Sequence, residues 1–570
     1  MRCAQNLPVT RHRYRRLMTD VDLLFRGGRL FTAGLEGSQE SDVAVNNGRI
    51  VAVGPSLAEL AGPATEVIDA HGGLLVPGFI DAHAHPVQAG VELLQCELGE
   101  ATDADSALAL VGAYAAAHPD DEWILGGGWA MAWFPGGNPS AAALDAVAGD
   151  RPVALSNRDH HGMWVSSAAL RLAGITAATP DPVDGLISRA PDGSPSGMLH
   201  EGAAALLDPV LPAVTPSLLD RGLLAAQERM HGFGVTGWQD AMIGGYIDAG
   251  AGFGEAYLRA VARGELTARV TGALWLERSV TLDSLDAVVA ALADARASCT
   301  ADPALLAFSA VKIMMDGVAE NHTAALSQPY LDGRGHSTGE SGLSFFDPAV
   351  LKSVAIALEA AGFDLHFHAL GDRAVTEALD ALAAARAAHG VRDTRHHLAH
   401  LQMVRAADVP RFAALGAAAN LQALWASHEP QFDELTVPFI APSLIARSYP
   451  FGDLARAGAR LAAGSDWPVT SPNPLAALRV AATRVSDDAP AGASPLGGAP
   501  QQLSLATALT AYTAGSAWVN RREHETGRIE NGFLADLALL DRDVFDSALE
   551  EIDQARVIGT WVGGRRVFEG

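Results

Sequence analysis

The segment Gly78-Phe79-Ile80-Asp81-Ala82-His83-Ala84-His85-Pro86 ends an apolar run in two histidines spaced i, i+2. Side chains alternate across a strand, so His83 and His85 share one face and Ala84 takes the other. Two imidazoles aimed at one point suit a metal ion, and a metal held at a strand end can activate water for hydrolysis. Alone, such a pair also fits a solvated loop. Four later segments add weight, because each is an apolar, strand-like run ending in a possible ligand or base. They are Ala310-Val311-Lys312, Phe363-Asp364-Leu365-His366-Phe367-His368, His397-Leu398-Ala399-His400 and Leu461-Ala462-Ala463-Gly464-Ser465-Asp466.

These side chains need a scaffold that gathers strand ends. Eight runs with strand character lie at residues 75–81, 234–240, 268–275, 306–316, 361–368, 395–400, 417–421 and 459–466. Ala/Leu-rich stretches with helical periodicity separate most of them, for example at 350–361, 372–389 and 406–415. Strand and helix in alternation imply an α/β fold with a parallel sheet. The candidate ligands end the first, fourth, fifth, sixth and eighth runs. Only a closed barrel sets the first run beside the last, and barrel sites lie at the C-terminal ends of the strands. The expectation is therefore a (β/α)8 TIM-like barrel over residues 76–519.

One interval is too long for a single crossover helix. Residues 95–215 hold Trp123, Trp129, Trp133 and Gly126-Gly127-Gly128, and predict a subdomain inserted after the first barrel strand. The tryptophans fit its core better than a substrate pocket. Both chain ends show short alternating strands with turn signals, which predicts one β-sandwich domain composed of residues 20–75 and 520–570. Residues 1–19 carry Arg2, Arg11, Arg13, Arg15 and Arg16 without an apolar stretch of the secretory type, and predict a disordered extension.

Composition narrows the function classes. Lys and Arg number 40 against 66 Asp and Glu in 570 residues, a net charge of −26 that repels nucleic acid and other polyanions. No uninterrupted apolar run reaches the roughly 18 residues that span a bilayer, so no membrane partner is expected. Cys3, Cys96 and Cys299 form no C-x-x-C pair, which argues against a disulfide framework or a thiolate zinc knuckle and makes the cytoplasm the default compartment. The expected partner is a small-molecule substrate. A large barrel of this kind is also compatible with a homo-oligomer.

Five motifs together resemble a known family. Val76-Pro77-Gly78-Phe79-Ile80-Asp81-Ala82-His83-Ala84-His85, Val311-Lys312-Ile313-Met314-Met315-Asp316-Gly317 and His368-Ala369-Leu370-Gly371-Asp372-Arg373-Ala374-Val375 are three of them. Gly464-Ser465-Asp466-Trp467-Pro468-Val469 and Gly532-Phe533-Leu534-Ala535-Asp536-Leu537 are the others. The chain is similar, over about residues 20 to 568, to the amidohydrolase superfamily and within it to amidohydrolase family 3, the group that includes N-substituted formamide deformylases. The resemblance implies that His83 and His85 bind the more buried metal, that Lys312 is carboxylated to bridge two metals, and that His368 and His400 bind the second. It implies Asp466 as a ligand and the general base, and a divalent metal, zinc above all, as one or two ions. Asp159 and His161 match an Asp/His element near the pocket in the group's insertion. Ala399 departs from the acidic residue expected before the strand-six histidine, and Glu320-Asn321-His322-Thr323 replaces a more usual Ser-Arg-Thr stretch.

Plainer readings stand beside these. Lys312 also fits a strand-end lysine whose ammonium reaches solvent, and Asp466 fits an Asx-turn or helix cap. His366 shares a face with His368 and fits a packed or hydrogen-bonded core histidine. Arg373 could clamp a substrate carboxylate or pair with Asp372, and His322 is equally open between substrate contact and structure. The leading expectation is a metal-dependent hydrolase of a non-peptide carbon–nitrogen bond, such as an N-substituted formamide or N-acyl compound, with Asp466 as base. One alternative is a mononuclear deaminase or cyclic-amidine hydrolase with unmodified Lys312. The other is a non-catalytic protein whose metal only stabilises the barrel.

Overall fold

The computed structural model describes residues 21–99, 101–183, 185–244 and 252–570; the expected extension at 1–19 lies outside them. Eight parallel strands form one sheet in sequential order: β1 (Phe79–Ala84), β2 (Val235–Ile243), β3 (Arg269–Trp275), β4 (Leu306–Met314), β5 (Asp364–Ala369), β6 (His397–His400), β7 (Ala418–Leu421) and β8 (Arg460–Ala463). Every residue of β2 and β3 is buried, as in a parallel sheet covered on both faces. The outer helices start where the sequence caps them. Asp347 accepts from the Ala349 and Val350 amides at the head of Pro348–Ala360, with proline at the first helical position. The next helix runs Asp372–His389, the span its periodicity predicts.

The barrel closes just beyond β8. Among the described residues no ladder pairs β1 with β8, but the Asp466 amide donates to the His83 carbonyl at 2.7 Å and the His85 amide to the Trp467 carbonyl at 2.8 Å. Asn420 Nδ2 adds a bond to the Ala82 carbonyl at 2.9 Å. This seam leaves no room for a side chain at Gly464, whose Cβ would stand 2.5 Å from the His83 amide nitrogen.

The apolar run read as one strand at 75–81 is two strands. Leu74–Pro77 pairs with Leu537–Leu540, and the chain enters β1 only after Gly78. A Cβ on Gly78 would meet Thr236 Cγ2 at 2.3 Å, so the turn between the strands depends on that glycine. An unbroken apolar stretch hides such a change of sheet, because both strands are buried.

Two sheets hold the chain ends. One runs Arg49–Gly54, Asp42–Asn46, Leu23–Arg26, Glu66–Asp69. The other runs Arg565–Glu569, Val557–Val562, Leu537–Leu540, Leu74–Pro77, Arg29–Leu30, Gln39–Glu40, mixing both ends of the chain. Phe25, Val43, Val45, Leu75, Leu537 and Trp561 share their core. A third sheet of six strands, from Cys96–Glu97 to Pro195–Glu201, lies wholly within residues 95–215. Trp129 and Trp164 are fully buried in it. No helix among the described residues is long and apolar enough to cross a membrane.

Candidate metal centre

Histidines and carboxylates converge at the C-terminal mouth of the barrel. His83 ends the inward face of β1, and His85 sits one step on as the residue before helix Pro86–Leu93. Asp466 follows β8 in the left-handed region at φ 60°. Its Oδ1 lies 3.0 Å from His83 Nε2 and 3.2 Å from His85 Nε2. These three form the one group of potential metal ligands among the described residues whose donor atoms all lie within 4.8 Å of one another.

Three more expected ligands surround that group. Lys312 Nζ lies 3.3 Å from His83 Nε2, and the side chain is only 2% exposed, so the snorkelling alternative does not describe it. The His400 ring is 4.8 Å from that of His83 and 4.4 Å from that of His368. His400 Nδ1 is 3.9 Å from Asp466 Oδ2. His366 is not turned toward Asp466; its Nε2 lies 2.8 Å from His83 Nδ1, where it fixes the ring.

The electrostatics fit a cation. Burial, with the Lys312 charge beside it, drives His83 well below its usual value and leaves it neutral. Burial lowers His368 likewise and takes His400 to about 3. Burial opposes ionisation of Asp466, yet the facing His83 holds its carboxyl well below the usual range. Neutral imidazoles thus lie beside an ionised carboxylate, a donor set that suits a cation. His368 Nε2 and both ring nitrogens of His400 are buried without any hydrogen-bond partner, a costly state that a divalent cation would relieve. Burial also brings the Lys312 amine down to about 8, within reach of its neutral form.

Supporting residues hold these groups. Asp81, on β1, accepts from the Ser465 hydroxyl at 2.5 Å, the Ser465 amide at 3.0 Å and the His83 amide at 3.1 Å. Gln422 Oε1 accepts from the His400 amide at 2.6 Å, and the His400 ring stacks on Trp425 at 5.1 Å. His160, Glu201, His400, Leu401 and Asp466 all have φ between 50° and 75°. Backbone in that region costs about 1–3 kcal/mol per residue and persists only where its surroundings enforce it.

The four expected substrate contacts separate. His161 stands with its ring 6.0 Å from that of His368, and its Nδ1 lies 3.0 Å from both oxygens of Glu201. Burial would lower His161, but the Glu201 carboxylate raises it to about 9; that imidazole in turn keeps buried Glu201 below its usual value. Asp159 accepts from the His161 amide at 2.9 Å and faces a cavity of about 460 Å³ beside the cluster. Glu320, Trp425, Glu429 and Trp467 share its wall. His161, His322 and Arg373 do not line that cavity. His322 stacks on Tyr330 at 4.9 Å, and Arg373 Nη2 donates to the carbonyls of Ser341 and Gly342 at 2.9 and 3.2 Å. Asp372 pairs instead with Arg405 at 2.9 Å.

Sequence reasoning missed Asp81, Gln422, Trp425 and Glu201. Asp81 was in view inside the first motif, and Glu201, an acidic residue ending a strand-like run, carried the same signal as the ligands.

The chain is 28% identical to the Bacillus subtilis protein YtcJ over 96% of its length and 99% of that protein's. It is also 28% identical to the N-substituted formamide deformylase of Arthrobacter pascens, covering 96% of this chain and 98% of that one. Its fold matches the crystal structure of an uncharacterized metal-dependent hydrolase from Pyrococcus horikoshii OT3 at TM-score 0.69 and 22% identity, over 92% of this chain and 99% of that one. The profile of the amidohydrolase family spans residues 66–568, and the chain belongs to that family.

Proposed function

We propose that the protein is a metal-dependent hydrolase of a non-peptide carbon–nitrogen bond in a small molecule, with N-substituted formamides and N-acyl compounds as the substrate class. The observation that carries this reading is the meeting of His83, His85, His400 and Asp466 across the barrel seam, with buried ring nitrogens left unpartnered. The name of the Arthrobacter pascens relative puts formamides first among substrates to try.

His83, His85 and Asp466 would hold one divalent cation, and His368 and His400 a second, with Lys312 between them as a carbamate. Nitrogen and oxygen ligands of this kind suit zinc and also admit manganese, iron or cobalt. A bound cation supplies polarisation of the carbonyl and a water whose pKa falls toward about 7. Asp466 accepts the proton of the attacking water and returns it to the departing nitrogen. Its two oxygens suit both tasks: Oδ1 faces His83 and His85 while Oδ2 turns toward His400. His366 and Asp81 keep the ligands in register through their bonds to His83 and Ser465. Trp425 covers one face of the buried His400 ring.

The mononuclear reading draws on one observation: His83, His85 and Asp466 already form a complete three-ligand set. Metal analysis of the purified chain, together with turnover of N-benzylformamide, tests both. About two equivalents with formate and amine as products support the leading reading; one equivalent with ammonia released from aminated heterocycles replaces it. Asp466→Asn is expected to lower turnover at least about 1,000-fold while the protein remains folded. A variant that keeps full activity removes Asp466 from the mechanism.

A further inference from the structure

His161 and Glu201 come from the inserted sheet yet meet at the metal cluster. His161 immediately precedes the strand Gly162–Val165, and Glu201 ends the strand Pro195–Glu201. Those strands are antiparallel neighbours with Gly162 opposite His200, so both side chains emerge at the same end of the sheet. His161 Nδ1 lies 3.0 Å from each Glu201 oxygen. A neutral imidazole turning freely would offer either nitrogen; a carboxylate against Nδ1 makes that nitrogen a donor, selects the ring orientation and favours the imidazolium, which carries a hydrogen on Nε2 as well.

The pair is held from the barrel as well. Thr323 Oγ1 donates to Glu201 Oε1 at 3.0 Å, and Asn321 Nδ2 donates to the His161 carbonyl at 3.1 Å. The His161 amide is tied to Asp159 and the Glu201 amide to the His161 carbonyl, both at 2.9 Å. Glu201 keeps this place at φ 50°, in the left-handed region. With Nδ1 engaged, Nε2 is the only polar ring atom left on His161. The ring stands 6.0 Å from that of His368. Asn321 and Thr323 belong to the stretch that departs from the family pattern, and here they brace this pair.

We infer that Glu201 is a positioning residue that fixes His161 with its Nε2–H turned to the substrate, as a donor to the oxygen that gains negative charge when the carbonyl is attacked. This rests on the hydrolytic reading and adds to it a donor supplied by the insertion. A donor already in place costs no reorganisation during the reaction, so it is worth most where charge develops. The same insertion then has two roles, shaping the cavity wall and completing the reaction site.

Methylphosphonate, a tetrahedral oxyanion, is the probe. Its dissociation constant is measured by calorimetry on the metal-loaded full chain for wild type, Glu201→Gln, His161→Leu and the double variant, with metal content and unfolding temperature recorded for each. His161→Leu is expected to weaken binding about 100-fold and Glu201→Gln about tenfold, the scale of a charge-assisted hydrogen bond. The double variant should bind no more weakly than His161→Leu alone, because Glu201 acts through His161. Glu201→Gln should keep its metal. Additive losses, wild-type affinity in Glu201→Gln, loss of metal in that variant, or no binding by wild type each overturn the inference. Formate release from N-benzylformamide by wild type is scored separately, so its failure strikes the hydrolytic reading and leaves this cycle of variants readable.

Discussion

Asp81 shows how one carboxylate can matter without touching substrate. It gathers the Ser465 hydroxyl, the Ser465 amide and the His83 amide, so it ties His83 on β1 to the loop that carries Asp466. Burial raises its carboxyl to about 7, although the bonds from Ser465 and His83 favour the ion. Asp81→Asn keeps the shape but places an amide donor against donors. Outer residues of this kind are worth about 10- to 100-fold in metal affinity. A competitive chelator titration should show that loss; unchanged affinity would relegate Asp81 to packing. The residues that gather at the barrel mouth were legible because each repeats one pattern, a polar residue ending an apolar run, as His83, Lys312, His368, His400 and Asp466 do. Arg373 and His322 show the limit. Their neighbours in sequence mark the right region, but only the folded loops decide that Arg373 bonds to the 341–342 carbonyls and His322 stacks on Tyr330.

Among the elements, the helix Pro216–Gly232 carries a testable acid sensitivity. His231, in its last turn, is buried, with Nδ1 2.8 Å from the Val235 carbonyl and Nε2 2.8 Å from Thr267 Oγ1. Burial lowers it from 6.5 to about 4, so the unfolded chain binds more protons in that window. Its contribution to stability is whole above pH 6.5 and drains away as the pH falls through 4, to a total of about 3 kcal/mol. Denaturant midpoints at pH 7 and pH 4.5 should converge in His231→Gln relative to wild type. An equal acid loss in both proteins would place the sensitivity elsewhere. At this scale all eight barrel strands were readable from alternating strand and helix patterns, while the switch at Gly78 was not. Apolar residues on both sides of that glycine are equally buried, and hydropathy carries no mark of which sheet receives them.

Across the molecule, one buried ion pair joins the barrel to the sheets of the chain ends. Arg269 opens β3, and its guanidinium grips Asp536 with Nε at 2.5 Å from Oδ2 and Nη2 at 3.0 Å from Oδ1. Asp536 also accepts from Thr526 Oγ1 at 3.1 Å and the Gly563 amide at 2.7 Å. This accounts for the aspartate in the Gly532-Phe533-Leu534-Ala535-Asp536-Leu537 motif as a fastening between sheets. Asp536→Ala would strand the arginine charge in the interior, and a loss of about 3–5 kcal/mol is expected in chemical denaturation. A loss below about 1 kcal/mol would mean that solvent reaches the pair. The α/β architecture was legible as a whole. The partnership of the distant ends was suggested only by similar texture, since no local pattern specifies that Leu74–Pro77 will lie beside Leu537–Leu540.

That seam between β1 and the turn after β8 also sets an order of events at the ribosome. His83 is synthesised early, but the amide that donates to its carbonyl and the carboxylate that meets its ring both belong to Asp466. Leu74–Pro77 waits longer still, until Leu537–Leu540 has left the exit tunnel. A nascent chain therefore carries a cluster without its aspartate until Asp466 emerges, and an unpaired strand edge for longer still.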